Sequence, residues 1–158
     1  MEINVLVDEG FESYLEASWL DSLAEKILIA QGADSTAELG LVITGQKKVQ
    51  ELNLNYLDKD DPTDVLAFAM LPEQAGGNSV PFVPPPDGKI HLGEVLIAYP
   101  QAVIQAEEHQ HSTKREIAIL IIHGVLHLLG YEHDKPELER EMRARETEIM
   151  NYIEEELF

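Results

Sequence analysis

The sequence contains no cysteine. Disulfides, zinc ribbons, thiol catalysis and iron–sulfur clusters are thereby excluded, and any metal centre has to be built from histidine and carboxylate. Positive charge is also scarce: 11 lysines and arginines face 30 aspartates and glutamates, for a formal net charge of -19. That field repels a polyanion at long range and argues against simple coating of nucleic acid, although a local patch or a bound cation can offset it inside a cleft. The opening MEINVLVDEG lacks the basic and apolar regions of a secretory leader, and no apolar run approaches the roughly 18 residues of a membrane span. The expectation is a soluble, cytoplasmic protein with no membrane contact. What the chain does have is apolar material for one core, with 44% of 158 residues hydrophobic, so residues 1–158 are read as a single domain.

Hydrophobic periodicity organises it as follows. Ile3 to Val7 reads as a strand, and Glu12 to Gln31 as a helix with apolar residues at Leu20, Leu23, Ile27 and Ala30, stopped by Gly32. Leu39, Leu41 and Ile43 alternate as a second strand, and Val49, Leu52 and Tyr56 are spaced for a short helix. If the two strands are parallel, the crossover is right-handed. Asp64 to Met70 and His91 to Ala98 read as further strands. Between them, residues 72–89 are rich in proline and glycine and predict a long surface loop, of a length usually functional or disordered. Pro100 suits the first turn of a helix to about Gln110. Thr113 and Glu116 have capping-box spacing at the start of EIAILIIHGVLHLL, a helix apolar on nearly every side and so expected in the middle of the fold. A last helix starts near Pro136, with Leu138, Met142, Ile149 and Ile153 on its inner stripe.

The candidate site lies in HGVLHLLGYEH, residues 123–133. His123 and His127 are four apart, which on a helix puts them one turn apart on one face, with Cβ atoms roughly 5–6 Å apart. Two ring nitrogens can then converge on one ion at about 2.0–2.1 Å. His133 can join only if the helix ends first, and Gly130 is placed to end it by adopting the left-handed conformation. Three protein ligands leave one tetrahedral position open, the mark of a catalytic rather than a structural zinc site. A water there becomes hydroxide near neutral pH, so the site is read as hydrolytic. A structural metal is the alternative. His109 and His111 read as solvated surface residues, and His91 as structural.

The ligand spacing matches that of the metzincin proteases, whose motif has a glutamate base directly after the first histidine. This chain has Gly124 there and no identifiable Met-turn, so a zinc metalloprotease lacking its usual base is a minor alternative.

HGVLHLLGYEH resembles the signature H-G-x-L-H-L-x-G-Y-D-H of the YbeY family of endoribonucleases. PTDVLAF is similar to that family's T-D-V-L-S-F strand, LGEVLIA to its L-G-D-I-x-I strand, and MRARETEIM to its closing M-x-x-x-E-x-x-I-L helix, over almost the whole chain. The resemblance implies an α+β fold with a mixed four-stranded sheet packed with about five helices and a metal site on the central apolar helix. It implies one Zn2+ on His123, His127 and His133, with another divalent transition metal as the alternative. It further implies cleavage of single-stranded RNA, in 16S rRNA 3′-end processing and ribosome quality control. Departures from the pattern are Leu57 where the family usually has an arginine, Ala67 for serine, Ala98 for a small polar residue, and Glu132 for aspartate. Lys59 is a candidate for part of the arginine's phosphate-holding role, without the bidentate fork. Glu132 and Asp64 are candidate general bases, with capping or ligand-orienting roles as alternatives.

The expected partners are single-stranded rRNA and the small ribosomal subunit or its proteins, with no DNA. Lys47, Lys48, Lys114 and Arg115 form a candidate basic rim. Arg140, Arg143 and Arg145 are read as pairing with glutamates one turn away, Glu139 and Glu141 among them. So few cations predict weak, salt-sensitive binding of free RNA and delivery of substrate by a ribosomal partner. A non-catalytic assembly factor with a structural metal is the alternative of a different class.

Overall fold

A computed structural model of the protein describes residues 1–8, 10–33, 35–57, 65–69, 90–131 and 135–157. Its elements in chain order are β1 (Glu2–Val7), α1 (Ala17–Ala30), β2 (Ala37–Thr44), α2 (Gln46–Leu57), β3 (Val65–Ala69), β4 (Ile90–Ala98), α3 (Tyr99–Glu108), α4 (Thr113–Leu128) and α5 (Pro136–Leu157). The strands form one sheet in the order β1-β2-β4-β3. β1, β2 and β4 run parallel, and β3 is antiparallel to β4. The mixed four-stranded α+β architecture expected from the sequence is therefore the one observed.

Strand alternation separates two apolar layers. Leu39, Leu41 and Ile43 of β2 and Val95 and Ile97 of β4 point into the main core, with α1, α4 and α5. Leu96, Ala98 and Leu66 point the other way and meet Val49 of α2 in a smaller cluster. Farther across that second face, toward β1, no described element covers the sheet. A groove of about 240 Å³ runs there beside Leu6, Glu38, Gly40 and Glu94.

Two local expectations need correction. α1 begins at Ala17 rather than Glu12, because Phe11 and Tyr14 lie in turns and pack their rings on Tyr99, with centroids 5.3 and 5.5 Å away. The N-cap of α4 is Ser112 rather than Thr113. The Ser112 backbone is extended, and its hydroxyl accepts from the Arg115 amide at 3.1 Å. Glu116 therefore closes no capping box and is free to point elsewhere.

α4 runs through the main core as its composition demands. From Glu116 to Leu128 every residue is buried except Ile119, His123 and His127, which are partly exposed. The helix reaches this depth because Gly124 faces the sheet: a Cβ there would lie 2.7 Å from Cγ1 and 3.1 Å from Cγ2 of Val95, and 3.4 Å from Val65. α5 is fastened across the core by Arg145, whose guanidinium donates to the Gln31 side chain and the Ala30 carbonyl at the end of α1. Arg145 also pairs with Glu148, and Arg143 with Glu139, each at 2.7 Å, so two of the three arginines read as partners of nearby glutamates are so placed.

Gly124→Ala is expected to destabilise the fold by about 1–2 kcal/mol, because overpacking of about 1–3 kcal/mol outweighs a gain in helix propensity of about 1 kcal/mol. Denaturant unfolding of parent and variant measures the difference, and an equal or higher midpoint for the variant would contradict the close contact.

Candidate functional site

Two turns of α4 carry the histidine pair, on the stripe that the core does not seal. Their Nε2 atoms face each other at 3.1 Å, with the rings edge to face. Two nitrogens bound to one zinc at tetrahedral angles lie about 3.3 Å apart, so the pair sits almost at a shared-ligand separation. The tautomer also fits. Nδ1 of His123 lies 2.8 Å from Oε1 of Glu146 on α5, and a carboxylate at that ring nitrogen makes Nδ1–H the donor. Nε2 of His123 then presents its lone pair towards His127. A carboxylate behind a ligating imidazole is the usual way a protein fixes ring orientation and raises ligand basicity.

Glu146 was not singled out as a site residue from the sequence, although a signal was present. It lies four residues after Met142 and three before Ile149, both buried, so a carboxylate occupies the inner stripe of α5. Only the packing of α5 on α4 could show that its partner, 23 residues away, is His123.

α4 ends as Gly130 predicted. Gly130 has φ of 100° and donates to the His127 carbonyl at 3.1 Å, while the Tyr131 amide reaches back to Leu126 at 3.0 Å. These two bonds are the Schellman arrangement, which sends the chain away from the helix axis directly after the histidine pair. His133 and Glu132 lie outside the described residues, as do Asp64, Lys59 and the 72–89 loop.

The reading of His111 as a solvated residue is corrected, whereas His109 is on the surface as expected but is not without a partner. Nδ1 of His109 and Nε2 of His111 both meet Oε1 of Glu116, at 2.9 and 2.6 Å. The Glu116 side chain is only 3% exposed, that of His111 is 21% exposed, and that of His109 remains open at 57%. The hydrogen bond to Glu116, and then the charge of that carboxylate, raise the pKa of His109 above its ordinary 6.5. His91, read as structural, has its Nδ1 2.6 Å from Oε1 of Glu38 on the neighbouring strand.

Both histidine groups border one cleft of about 690 Å³ among α3, α4, α5 and β3. Among the described residues its lining carries Glu108, Glu116, Glu139 and Glu146 against one arginine, Arg143, a balance that favours cations. The expected basic rim is partly engaged elsewhere. Arg115 pairs with Glu154 at 2.6 Å and Lys114 lies 5.1 Å above the Trp19 ring, whereas Lys47 and Lys48 are exposed at the start of α2. No described helix is long and apolar enough to cross a membrane.

Fold and site together define an α+β protein that concentrates imidazole and carboxylate along one stripe of a buried helix, an arrangement suited to binding a transition metal. The chain belongs to the YbeY family: the family model described as Endoribonuclease YbeY matches residues 8–154. It is 48% identical over 157 residues to a protein named Endoribonuclease YbeY from Dehalococcoides mccartyi, covering 98% of this chain and 91% of that one. A protein of the same name from Roseiflexus sp. is 38% identical over 152 residues, covering 96% and 92%. The solution structure of TM1509 from Thermotoga maritima superposes with a TM-score of 0.56 at 22% identity, covering 94% of this chain and 89% of that one, and shares the fold.

Glu146→Gln is expected to weaken metal binding about 10–100-fold while leaving the fold intact. Competition against a chromophoric chelator reads the affinity, and an unchanged value would remove Glu146 from the site. A second expectation concerns pH in the presence of excess chelator. A histidine whose folded pKa is raised stabilises the fold fully below its unfolded value and loses that contribution as pH climbs through the folded value. The thermal midpoint of the parent should therefore exceed that of His109→Ala most near pH 6, and the gap should narrow at higher pH. A gap that widens with pH would reverse the assignment.

Proposed function

We propose that this protein is a metal-dependent endoribonuclease of ribosomal RNA maturation, cutting single-stranded RNA with one zinc ion held by His123, His127 and His133. The observation that carries the metal assignment is the pair of facing Nε2 atoms 3.1 Å apart, one oriented by Glu146. The RNA substrate class is supported by membership of a family whose relatives bear the name Endoribonuclease YbeY. When bound, the ion supplies Lewis acidity at a phosphoryl oxygen and lowers the pKa of water or of a neighbouring 2′-OH.

The chain's own residues do the rest. Glu146 keeps His123 in the ligating tautomer. Glu132 or Asp64 accepts the proton from the attacking oxygen, and Lys59 contacts a phosphate in place of the arginine that Leu57 replaces. The reading takes residues 1–158 as one domain with 72–89 as a loop, working in the cytoplasm on the 3′ end of 16S rRNA and in ribosome quality control. A small-subunit partner delivers the substrate. Support for that comes from the net charge of -19, the glutamate-lined cleft and the ion pair that occupies Arg115, which leave little to hold free RNA. The protease reading is not favoured: position 124, where that class carries its base, is turned against Val95 in the core. Nor is the non-catalytic assembly factor, given the name its relatives carry.

Zinc-loaded protein should cleave a defined single-stranded RNA, and His127→Ala prepared identically should lose that activity at least about 100-fold. Activity should fall steeply with added salt. Equal cleavage by both proteins would trace the activity to a contaminant, and cleavage by neither, even with ribosomal subunits present, would overturn the reading.

A further inference from the structure

His109, His111 and Glu116 are brought together by the fold, yet nothing in the proposed RNA cleavage uses them. We propose that these three side chains bind a second divalent transition-metal ion, separate from the one at His123 and His127.

The convergence is specific. One ligand atom from each residue lies within 4.8 Å of the other two, and both imidazoles address the same carboxylate oxygen. Nitrogen and oxygen ligands on one ion at about 2.0–2.2 Å are about 2.9–3.4 Å apart at ordinary coordination angles. The 2.9 Å contact already meets this, and the 2.6 Å contact has to open by a few tenths of an ångström.

The backbone is bent to produce the convergence. α3 ends in the same paired-bond turn as α4, with Gln110 donating to the Glu107 carbonyl and His111 to that of Ala106. The turn needs a left-handed residue, and here it is Gln110 at φ of 58° rather than a glycine. His109 and His111 flank that residue, and the turn aims both rings at the first turns of α4.

Charge points the same way. Glu116 is a carboxylate buried in a helix whose other buried side chains are all apolar, and as an anion such a group is stabilised by a compensating positive charge, which a protonated imidazole supplies without metal and a bound ion supplies more strongly. Its side-chain partners among the described residues are the two imidazoles, while the neighbouring Arg115 is paired with Glu154. The site opens on the acidic cleft, where Glu108 and Glu139 add a field that draws cations, and the exposed side of His109 leaves room for water to complete the coordination. Two imidazoles and one carboxylate suit zinc, cobalt, nickel, manganese or iron, and are poor ligands for calcium or magnesium, which prefer all-oxygen shells.

Glu116 and His123 are seven residues apart on α4, about 10.5 Å at 1.5 Å per residue. Ions sharing one phosphoryl group sit about 3.5–4 Å apart, so the second ion does not join a two-metal mechanism. It neutralises Glu116 and ties the end of α3 to the start of α4.

Counting bound cobalt(II) tests this directly. Full-length protein is stripped with chelator and titrated with cobalt chloride as parent, His109→Ala, His127→Ala and the double variant, with circular dichroism as the check on folding. The parent should bind two equivalents, each single variant one, and the double variant none. Because His109 is exposed, its loss leaves the core intact, and Glu116→Gln provides a second variant of nearly unchanged shape that should also bind one. The proposal is overturned if His127→Ala binds no cobalt or if His109→Ala binds as much as the parent. Retention of one equivalent by His127→Ala with none left in His109→Ala would instead uphold this site and remove the metal assignment at His123 and His127.

Discussion

How near α4 can come to β3 and β4 decides where polar side chains can survive on that helix. With Gly124 against Val95, one side of the helix lies on the sheet, and α1, α3 and α5 pack around it. Burial on that scale removes water from most of the circumference, so an imidazole there either finds a partner or is strongly unfavourable. The stripe through Ile119, His123 and His127 is the remaining opening. The metal-binding reading of the pair depends on that restriction, since a helix lying farther out would leave the same histidines as ordinary surface residues.

The same packing explains which parts of the protein were legible in its sequence. Period-two and period-3.6 patterns are local, so the strands around Leu39–Ile43 and His91–Ala98 and the helix through EIAILIIHGVLHLL are close to their expected positions. The four-residue spacing of His123 and His127 is local too, and Gly130 terminates the helix for a reason internal to the glycine. Glu146 and Glu116 were harder to read. Each is a carboxylate on an apolar stripe, which is visible, but what compensates each one is supplied by another segment, which periodicity does not encode. α1 begins later than expected for a related reason: the rings of Phe11 and Tyr14, in the turns before it, pack against Tyr99, a partner about 85 residues on that periodicity does not encode. At α4 the capping signal was off by one residue, because two adjacent hydroxyls were available and the extended backbone fell at Ser112.

The charge distribution separates two surfaces that composition alone merges. The net charge of -19 is not spread evenly, since four glutamates line the cleft among α3, α4 and α5 while Lys47 and Lys48 stand exposed on α2. Glu146, which meets Nδ1 of His123, is one of those cleft glutamates, while Nε2 of the same ring points towards His127.

The contact between His123 and Glu146 also sets an order of assembly during synthesis. The histidine pair is made before α5, and the carboxylate that orients it comes 23 residues later, on a helix held in place by Arg145 against the end of α1. A nascent chain that has not yet produced α5 can form the α4 stripe but not its ring-orienting contact. The contact that orients the His123 ring therefore arrives late in translation, together with the fastening of α5 onto the end of α1.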